Sequence, residues 1–147
     1  MHKFCHLLAT GFYVGHLRPP GTLGSLLAIV LIVLTFYLGI LGKFFVFVAL
    51  FVIGIIVSEY YEKYHNERDA SQIVIDEIVG YYFVLMFVSF NIINLLITFF
   101  LFRIFDISKP YPIKQVESIE GGTGVMLDDL IAGIYSLGIF HIIKVFI

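Results

Sequence analysis

The sequence predicts an all-α membrane protein, a polytopic helical bundle with about four membrane-embedded helical segments. Three observations predict this class. The 147-residue chain is 60% hydrophobic with a mean hydropathy of +1.00, which is more apolar than a soluble domain. Its apolar residues form long runs, as membrane-embedded helices require. Its charged residues cluster between those runs. The length predicts a single domain over residues 1–147.

Charge and cysteine content exclude some classes of protein. The net charge is −2, so no nucleic-acid partner is predicted. The single Cys5 has no second cysteine for an internal disulfide, and we expect it to be a packing residue. The N-terminal stretch does not resemble a signal peptide, because Lys3 is a weak basic region and no small-x-small cleavage motif follows.

The first motif-rich stretch is predicted to be an ordered loop over residues 18–25. Pro19 and Pro20 argue against a helix through this segment. Ser25 is then expected to cap the helix that follows it.

A helical hairpin is predicted next. Residues 26–41 and 44–57 are apolar and, extended a little, approach the ~20 residues of a membrane span. Gly42 and Lys43 supply the turn between them. The charged residues 59–71 are interpreted as a solvated helix end and loop.

The apolar residues 78–105 are predicted to form two short helices that meet at a turn near Asn91. Each has about 13 residues, or about 20 Å of helix, which is short of the ~30 Å of a bilayer core. A single long tilted helix is the alternative, and the sequence does not decide between them. Pro110 and Pro112 end the second helix. Residues 114–120 are predicted as a polar connector and 130–147 as the last helix.

This hairpin arrangement would bring all the polar segments to one membrane face. The positive charges would then be divided seven to two between the faces, with Lys3, Arg18, Lys63, Arg68, Arg103, Lys109 and Lys114 on one side and Lys43 and Lys144 on the other. Such a bias predicts that the polar face is cytoplasmic.

Five carboxylates lie in apolar or glycine-rich settings, where a negative charge is costly: Asp76, Glu77, Asp106, Asp128 and Asp129. If they converge, a cation must neutralise them, and oxygen ligands favour Mg²⁺. Zinc is not expected, because cysteine is absent from these segments and no histidine pair has ligand spacing. Arg103 and Lys109 share a helix face with Asp106. Carboxylates, a divalent metal and basic groups together suit phosphate chemistry.

Structural roles are the alternative for each of these groups taken alone. Asp128 and Asp129 are also typical helix-start acids, and Arg103 with Asp106 is also a plain i,i+3 ion pair. The glycines at 121–124 are also typical of a flexible connector. The five histidines are scattered, and none is predicted as a catalytic base: His2, His6, His16, His65 and His141.

Four motifs together resemble the phosphatidylglycerophosphatase A family. In order they are ATGFYVGHLRPPGTLGS at residues 9–25, IVIDEIVG at 73–80, FRIFDISKPYPI at 102–113 and GGTGVMLDDLIAG at 121–133. The resemblance covers about residues 8–138. Tyr13 stands where the family often has a smaller residue, and Tyr111 where it commonly has Trp. Neither is a charged position.

The resemblance implies a Mg²⁺-dependent phosphatase, multi-pass in the bacterial inner (cytoplasmic) membrane with a cytoplasmic active face. It would hydrolyse the terminal phosphate of phosphatidylglycerophosphate, a phospholipid substrate held in the membrane. The oligomeric state is not predicted. A Mg²⁺-dependent lipid phosphotransferase and a phosphatase for another lipid phosphate are the alternatives. An ion transporter and a non-catalytic membrane partner are weaker rivals.

The site hypothesis has three parts. Mg²⁺ is held by Asp76, Asp106, Asp128 and Asp129, with Glu77 as ligand or base. Phosphate oxygens are held by Arg103 and Lys109. The substrate headgroup is bound by Arg18, Gly21, Thr22, Ser25, Gly121, Gly122 and Gly124. We expect a metal-activated water to attack, rather than a covalent phospho-enzyme.

Overall fold

The computed structural model describes residues 2–146, and this part of the chain contains seven α-helices and no strand. A short 3₁₀ turn, Val14–His16, separates the first two helices. The helices are α1 (His2–Ala9), α2 (Pro20–Leu34), α3 (Ile40–His65), α4 (Ile75–Met86), α5 (Ile92–Ser108), α6 (Ile113–Glu117) and α7 (Gly122–Phe146). The all-helical prediction is therefore confirmed.

Helix α2 begins earlier than predicted, at Pro20 rather than after Ser25. Proline suits the first helical position, because its fixed φ matches the helix and its missing N–H would have no partner there anyway. The prediction of a loop through residues 18–25 is therefore wrong beyond Pro19. Ser25 is not a cap, since its hydroxyl donates to the Gly21 carbonyl at 3.0 Å inside the helix.

The turn of the first hairpin lies at residues 35–39, not at Gly42 and Lys43. Thr35 ends α2, and both its N–H and its hydroxyl donate to the Leu31 carbonyl. Gly39 precedes α3, so Gly42 and Lys43 lie within the first turn of that helix.

Two of the described helices, α3 and α7, are long and apolar enough to cross a membrane. They have 26 and 25 residues, so each is roughly 38 Å long, against ~30 Å for a bilayer core. Only 17% and 28% of their most apolar windows are buried inside the protein. The remaining apolar surface of these helices faces outward, as it does in helices that contact lipid.

Helix α4 is the central element, although it has only 12 residues. It packs against α2, α3 and α7. Its contact with α7 is close because both helices carry a glycine there. A Cβ on Gly80 would lie 2.9 Å from the Asp129 carbonyl oxygen, and one on Gly133 would lie 3.0 Å from the Gly80 carbonyl oxygen. This backbone approach sets the first turns of α4 beside the second turn of α7.

Helices α4 and α5 form the hairpin predicted from residues 78–105. The chain breaks at residues 87–91, and the Asn91 side chain caps α5 by accepting the Asn94 N–H at 2.9 Å. The Tyr81 hydroxyl donates to the Leu95 carbonyl at 2.9 Å, which ties the two helices together. The single-span alternative is therefore wrong.

The polar segments meet at one end of the bundle, as the sequence predicted. The Val74 N–H donates to the Ala9 carbonyl at 2.9 Å, which joins the N-terminal region to the start of α4. Lys43 lies at the other end, where its Nζ is 5.9 Å from the Phe36 ring.

Two further boundaries differ from those predicted. The connector at 114–120 contains most of α6. Helix α7 begins at Gly122 rather than at Leu130, so Asp128 and Asp129 lie in its second turn. Ile147 lies outside the described residues.

Candidate active site

A cavity of about 320 Å³ opens at the polar end of the bundle. Helix α4 contributes its first turn, α5 its last turns, α7 its second turn and α2 its start. The seven charged residues predicted to hold the metal ion and the phosphate all line this cavity, together with one acid that was not predicted: Asp69, Asp76, Glu77, Arg103, Asp106, Lys109, Asp128 and Asp129. Whether they carry out catalysis remains a prediction.

Three carboxylates form a tight group within the cavity. Asp76, Glu77 and Asp129 each offer an oxygen within 4.8 Å of the others. Asp76 is 8% exposed and Asp129 is 2% exposed. Glu77 Oε2 and Asp129 Oδ2 are buried without a hydrogen-bond partner. Buried carboxylates at this separation repel one another and are costly to desolvate, so the group favours a bound cation or a proton.

Helix α4 supplies two members of this carboxylate group from its first turn. The Glu77 N–H donates to Asp76 Oδ1 at 3.0 Å, which orients the Asp76 side chain at the start of the helix. The positive end of the helix dipole favours negative charge at this position. Asp76 and Glu77 are adjacent in the helix, yet both line the cavity. The Glu77 N–H fixes the shorter Asp76 side chain, and the longer Glu77 side chain extends to the same place.

Arg103 is the cation closest to this group. Its Nη1 lies 2.5 Å from Asp106 Oδ2 and 3.7 Å from Glu77 Oε1. Asp106 is therefore paired with Arg103 and is not part of the three-carboxylate group. Gly21 of α2 covers the guanidinium, since a Cβ there would lie 2.7 Å from Nη1 and 2.8 Å from Nη2. The close approach of α2 thus depends on glycine at this position.

Lys109 holds a second set of carboxylates at the other side of the cavity. It ends α5 in the left-handed region, with φ of 42°. Its Nζ lies 2.6 Å from Glu117 Oε1, 2.9 Å from Asp128 Oδ2 and 3.9 Å from Asp69 Oδ2. Burial lowers the pKa of Lys109, but these carboxylates outweigh that effect and hold its pKa above the ordinary value. The ammonium therefore stays charged.

The two adjacent aspartates of α7 consequently have different surroundings. Asp128 binds Lys109 and accepts the Asp129 N–H at 2.9 Å. Asp129 points to Asp76 and Glu77. Asp128 is therefore paired with a cation, whereas Asp129 keeps one carboxylate oxygen, Oδ2, without a hydrogen-bond partner.

Asp69 and Glu117 were not predicted as site residues. Asp69 lies in residues 59–71, which were interpreted as a solvated helix end and loop, and Glu117 lies in the predicted polar connector at 114–120. The structure places Asp69 in the cavity wall and Glu117 on Lys109. No local pattern distinguishes these acids from their charged neighbours, so only the tertiary contact with Lys109 reveals them.

Four residues of the first motif were predicted to bind the substrate headgroup. Of these, only Gly21 lines the cavity. Arg18 is exposed and lines a neighbouring depression, which shares Pro19 and Pro20 with the cavity. Thr22 is half-buried outside the cavity lining, and Ser25 is buried within α2.

None of the three glycines predicted at 121–124 lines the cavity, and two of them pack against backbone. A Cβ on Gly122 would overlap the Ile55 carbonyl oxygen of α3, and one on Gly124 would overlap the Ile119 carbonyl oxygen. Gly121 has φ of 79°, which glycine adopts readily, and lies against Glu59. In this structure they fix the start of α7.

Buried carboxylates beside two fixed cations, at the end of a bundle with membrane-length apolar helices, define a membrane-associated helical protein suited to phosphate chemistry. The chain matches the family model for phosphatidylglycerophosphatase A over residues 7–144 and belongs to that family.

Curated relatives agree with this assignment. The chain is 41% identical over 137 residues to phosphatidylglycerophosphatase A of Haemophilus influenzae, covering 90% of this chain and 83% of the relative. It is 38% identical over 143 residues to phosphatidylglycerophosphatase A of Escherichia coli, covering 94% and 82%. It is also 40% identical over 139 residues to a putative phosphatidylinositol-3-phosphatase of Bacteroides thetaiotaomicron, covering 88% and 87%. No solved structure gives a significant match.

Proposed function

We propose that this protein hydrolyses the terminal phosphomonoester of phosphatidylglycerophosphate to phosphatidylglycerol and phosphate. Family membership and the names of two relatives support this substrate. The observation that carries the chemistry is the three-carboxylate group of Asp76, Glu77 and Asp129 beside Arg103. A lipid phosphate can reach such a site from the bilayer while its acyl chains stay in the membrane.

The carboxylate group fits Mg²⁺. Each of the three residues offers an oxygen, which is the ligand that Mg²⁺ prefers. The unpartnered oxygens of Glu77 and Asp129 are the atoms that a cation would satisfy. Neither cysteine nor histidine lines the described cavity. When bound, Mg²⁺ would neutralise phosphate oxygens and lower the pKa of a water.

Arg103 and Lys109 would have different roles in the reaction. Arg103 binds the phosphate oxygens, because its guanidinium presents several donors in one plane and Asp106 fixes its orientation. Lys109 positions Asp128, and through it the turn of α7 that carries Asp129. A water oxygen attacks the phosphorus and the phosphorus–oxygen ester bond breaks. A proton given up by the water ends on the leaving oxygen, which becomes the glycerol hydroxyl.

We further infer that the chain is a multi-pass protein of the bacterial cytoplasmic membrane, with its cavity on the cytoplasmic side. The lengths of α3 and α7 support two full crossings. Helices α2, α4 and α5 have 15, 12 and 17 residues, which suits partial or tilted insertion against them. The excess of lysine and arginine at the cavity end favours the cytoplasmic orientation.

A second candidate substrate is phosphatidylinositol 3-phosphate. The name of the Bacteroides thetaiotaomicron relative favours it. Both substrates are lipid phosphomonoesters, so the same carboxylates and cations would serve either one.

The decisive experiment is phosphate release by the purified full chain in mixed micelles. Phosphatidylglycerophosphate, phosphatidylinositol 3-phosphate and phosphatidic acid would be compared, each with Mg²⁺ and with a chelator. We expect Mg²⁺-dependent release, fastest from phosphatidylglycerophosphate. Faster release from the inositol lipid would favour the second candidate. No release from any lipid under any divalent metal would overturn the phosphatase proposal.

A further inference from the structure

Phosphatidylglycerophosphate carries two phosphate groups, and the cavity suits only one of them. The terminal phosphomonoester is the group that reacts, and a phosphodiester on the other side of the headgroup glycerol joins it to the lipid. Six carboxylates and two basic side chains line the cavity. One bound Mg²⁺ would still leave acids in excess of cations, so a second anion inside the cavity would be repelled. The phosphodiester must therefore lie outside the cavity, one glycerol away from the terminal phosphate.

A second depression adjoins the cavity and differs from it in charge. Its volume is about 510 Å³, and Pro19, Pro20 and Ser71 line both the depression and the cavity. Among the described residues no acid lines the depression, and Arg18 is the permanently charged residue in its wall. An anion that the cavity would repel can therefore be accepted next to it.

The Arg18 guanidinium is available to bind such an anion. Arg18 is exposed and forms no ion pair with any residue between 2 and 146. The other two arginines are held in place, because Arg103 is paired with Asp106 and Arg68 donates to backbone carbonyls at the end of α6. A guanidinium presents its N–H donors in one plane, which matches two oxygens of a phosphate group.

The residues before Arg18 indicate that this edge of the protein meets the membrane surface. Phe12, Tyr13 and Leu17 belong to the connection between α1 and α2, and all three are exposed. Exposed aromatic and apolar side chains beside a basic residue are typical of segments at the level of the lipid headgroups. An arginine that is merely solvated does not account for these apolar neighbours. Lipid phosphodiesters lie at the same level, so Arg18 is placed to contact one.

We propose that Arg18 binds the phosphodiester of the lipid substrate while the cavity holds the terminal phosphate. This inference rests on the proposed lipid phosphatase function and adds a specificity-determining residue to it. The headgroup glycerol would pass over Pro19 and Pro20, which line both places. Both candidate lipids contain such a phosphodiester, whereas phosphatidic acid does not. Arg18 would thus favour lipids whose terminal phosphate is separated from the diacylglycerol by a phosphodiester.

The test uses the two reaction products as inhibitors of the purified full chain, because each product fits only one of the two places. Inorganic phosphate fits the cavity, and phosphatidylglycerol keeps the phosphodiester but lacks the terminal phosphate. Both would be titrated against phosphatidylglycerophosphate in neutral detergent micelles with Mg²⁺. The variants are Arg18→Met and Arg18→Lys. The matched control is Lys114→Met, because Lys114 is exposed and lines neither the cavity nor the depression.

We expect Arg18→Met to raise the inhibition constant of phosphatidylglycerol by roughly 10-fold, the effect of losing one charge-assisted hydrogen bond. The KM for phosphatidylglycerophosphate should rise by a similar factor, with a smaller effect on kcat. The inhibition constant of inorganic phosphate should not change, because the cavity is untouched. Arg18→Lys should recover part of the loss, since lysine keeps the charge without the planar donors.

Three outcomes would overturn the role of Arg18. Phosphatidylglycerol might inhibit the parent and Arg18→Met equally, or fail to inhibit the parent at all. An equal loss in Lys114→Met would reduce the effect to general surface charge. A parent that releases phosphate from no lipid would instead overturn the phosphatase function on which this inference rests. The two failures are therefore distinguished by the activity of the parent.

Discussion

Lys109 and Asp128 are 19 residues apart in the chain, yet Lys109 Nζ lies 2.9 Å from Asp128 Oδ2. This ion pair joins the C-terminus of α5 to the second turn of α7. Asp128 is 4% exposed, so its charge has little access to water. The pair therefore fixes the turn of α7 on which the next residue, Asp129, reaches the carboxylate group.

Replacing Lys109 by Met should reduce both activity and stability. Loss of the ammonium leaves Asp128 and Glu117 without their cation and lets the turn of α7 shift. A shift on the order of 1 Å costs about 100-fold in rate. The loss of stability should be about 1–3 kcal/mol, below the range for fully buried pairs, because Lys109 retains some exposure. Phosphate release and thermal unfolding in detergent would measure the two effects.

Lys114→Met is the control for this change. Lys114 lies on α6 at the same end of the protein, is exposed, and forms none of the described ion pairs. It should behave like the parent. A Lys109→Met protein with parental activity would show that the ion pair does not position the site.

Asp129→Asn and Asp128→Asn should differ in their Mg²⁺ dependence. Asp129 belongs to the carboxylate group, so Asp129→Asn should raise the Mg²⁺ concentration for half-maximal activity by roughly 10- to 100-fold. Asp128 binds Lys109 instead, so Asp128→Asn should lower the maximal rate and leave the Mg²⁺ midpoint nearly unchanged. Rates over a Mg²⁺ series separate the two outcomes. The reverse pattern would assign the metal to Asp128.

The sequence predicted seven of the eight charged residues that line the cavity, all but Asp69, because buried charge is costly wherever it occurs. Similar reasoning located the turn near Asn91, because Ser89, Asn91 and Asn94 are polar residues within an otherwise apolar run. It failed at the beginnings of α2, α3 and α7, because glycine and proline there were read as turn residues. Pro20 begins a helix instead, and Gly122 permits α7 to approach α3. Whether a glycine forms a turn or a close contact between helices depends on the helix that packs against it. That helix cannot be identified from the local sequence alone.

Cysteine labelling would test the proposed membrane orientation. In a Cys5→Ala background, Tyr37→Cys marks the turn between α2 and α3, where Tyr37 is 97% exposed. Lys114→Cys marks the cavity end. An impermeant thiol reagent applied to intact spheroplasts should label the Tyr37→Cys protein at once and the Lys114→Cys protein only after permeabilisation. Immediate labelling of Lys114→Cys alone would invert the proposed topology.

Gly122→Ala should destabilise the protein through helix packing. An added Cβ would overlap the Ile55 carbonyl oxygen, which is backbone and cannot rotate away. Overpacking of this kind costs about 1–3 kcal/mol. Gly138→Ala is the matched control, because nothing lies within 4 Å of its added Cβ on the same helix. It should stabilise α7 by roughly 0.5–1 kcal/mol. Equal thermal unfolding of the two variants would contradict the packing role of Gly122.

Gly21→Ala should reduce activity while leaving the fold intact. The added Cβ would press on the Glu77 carboxylate and on both terminal nitrogens of Arg103. These atoms end flexible side chains, so they can move aside, and alanine is favourable in a helix. The displaced guanidinium would bind phosphate poorly, and a shift on the order of 1 Å costs about 100-fold in rate. Thermal unfolding should match the parent, whereas phosphate release should fall. Parental activity in Gly21→Ala would remove Arg103 from direct contact with the substrate, because its guanidinium would have moved without consequence.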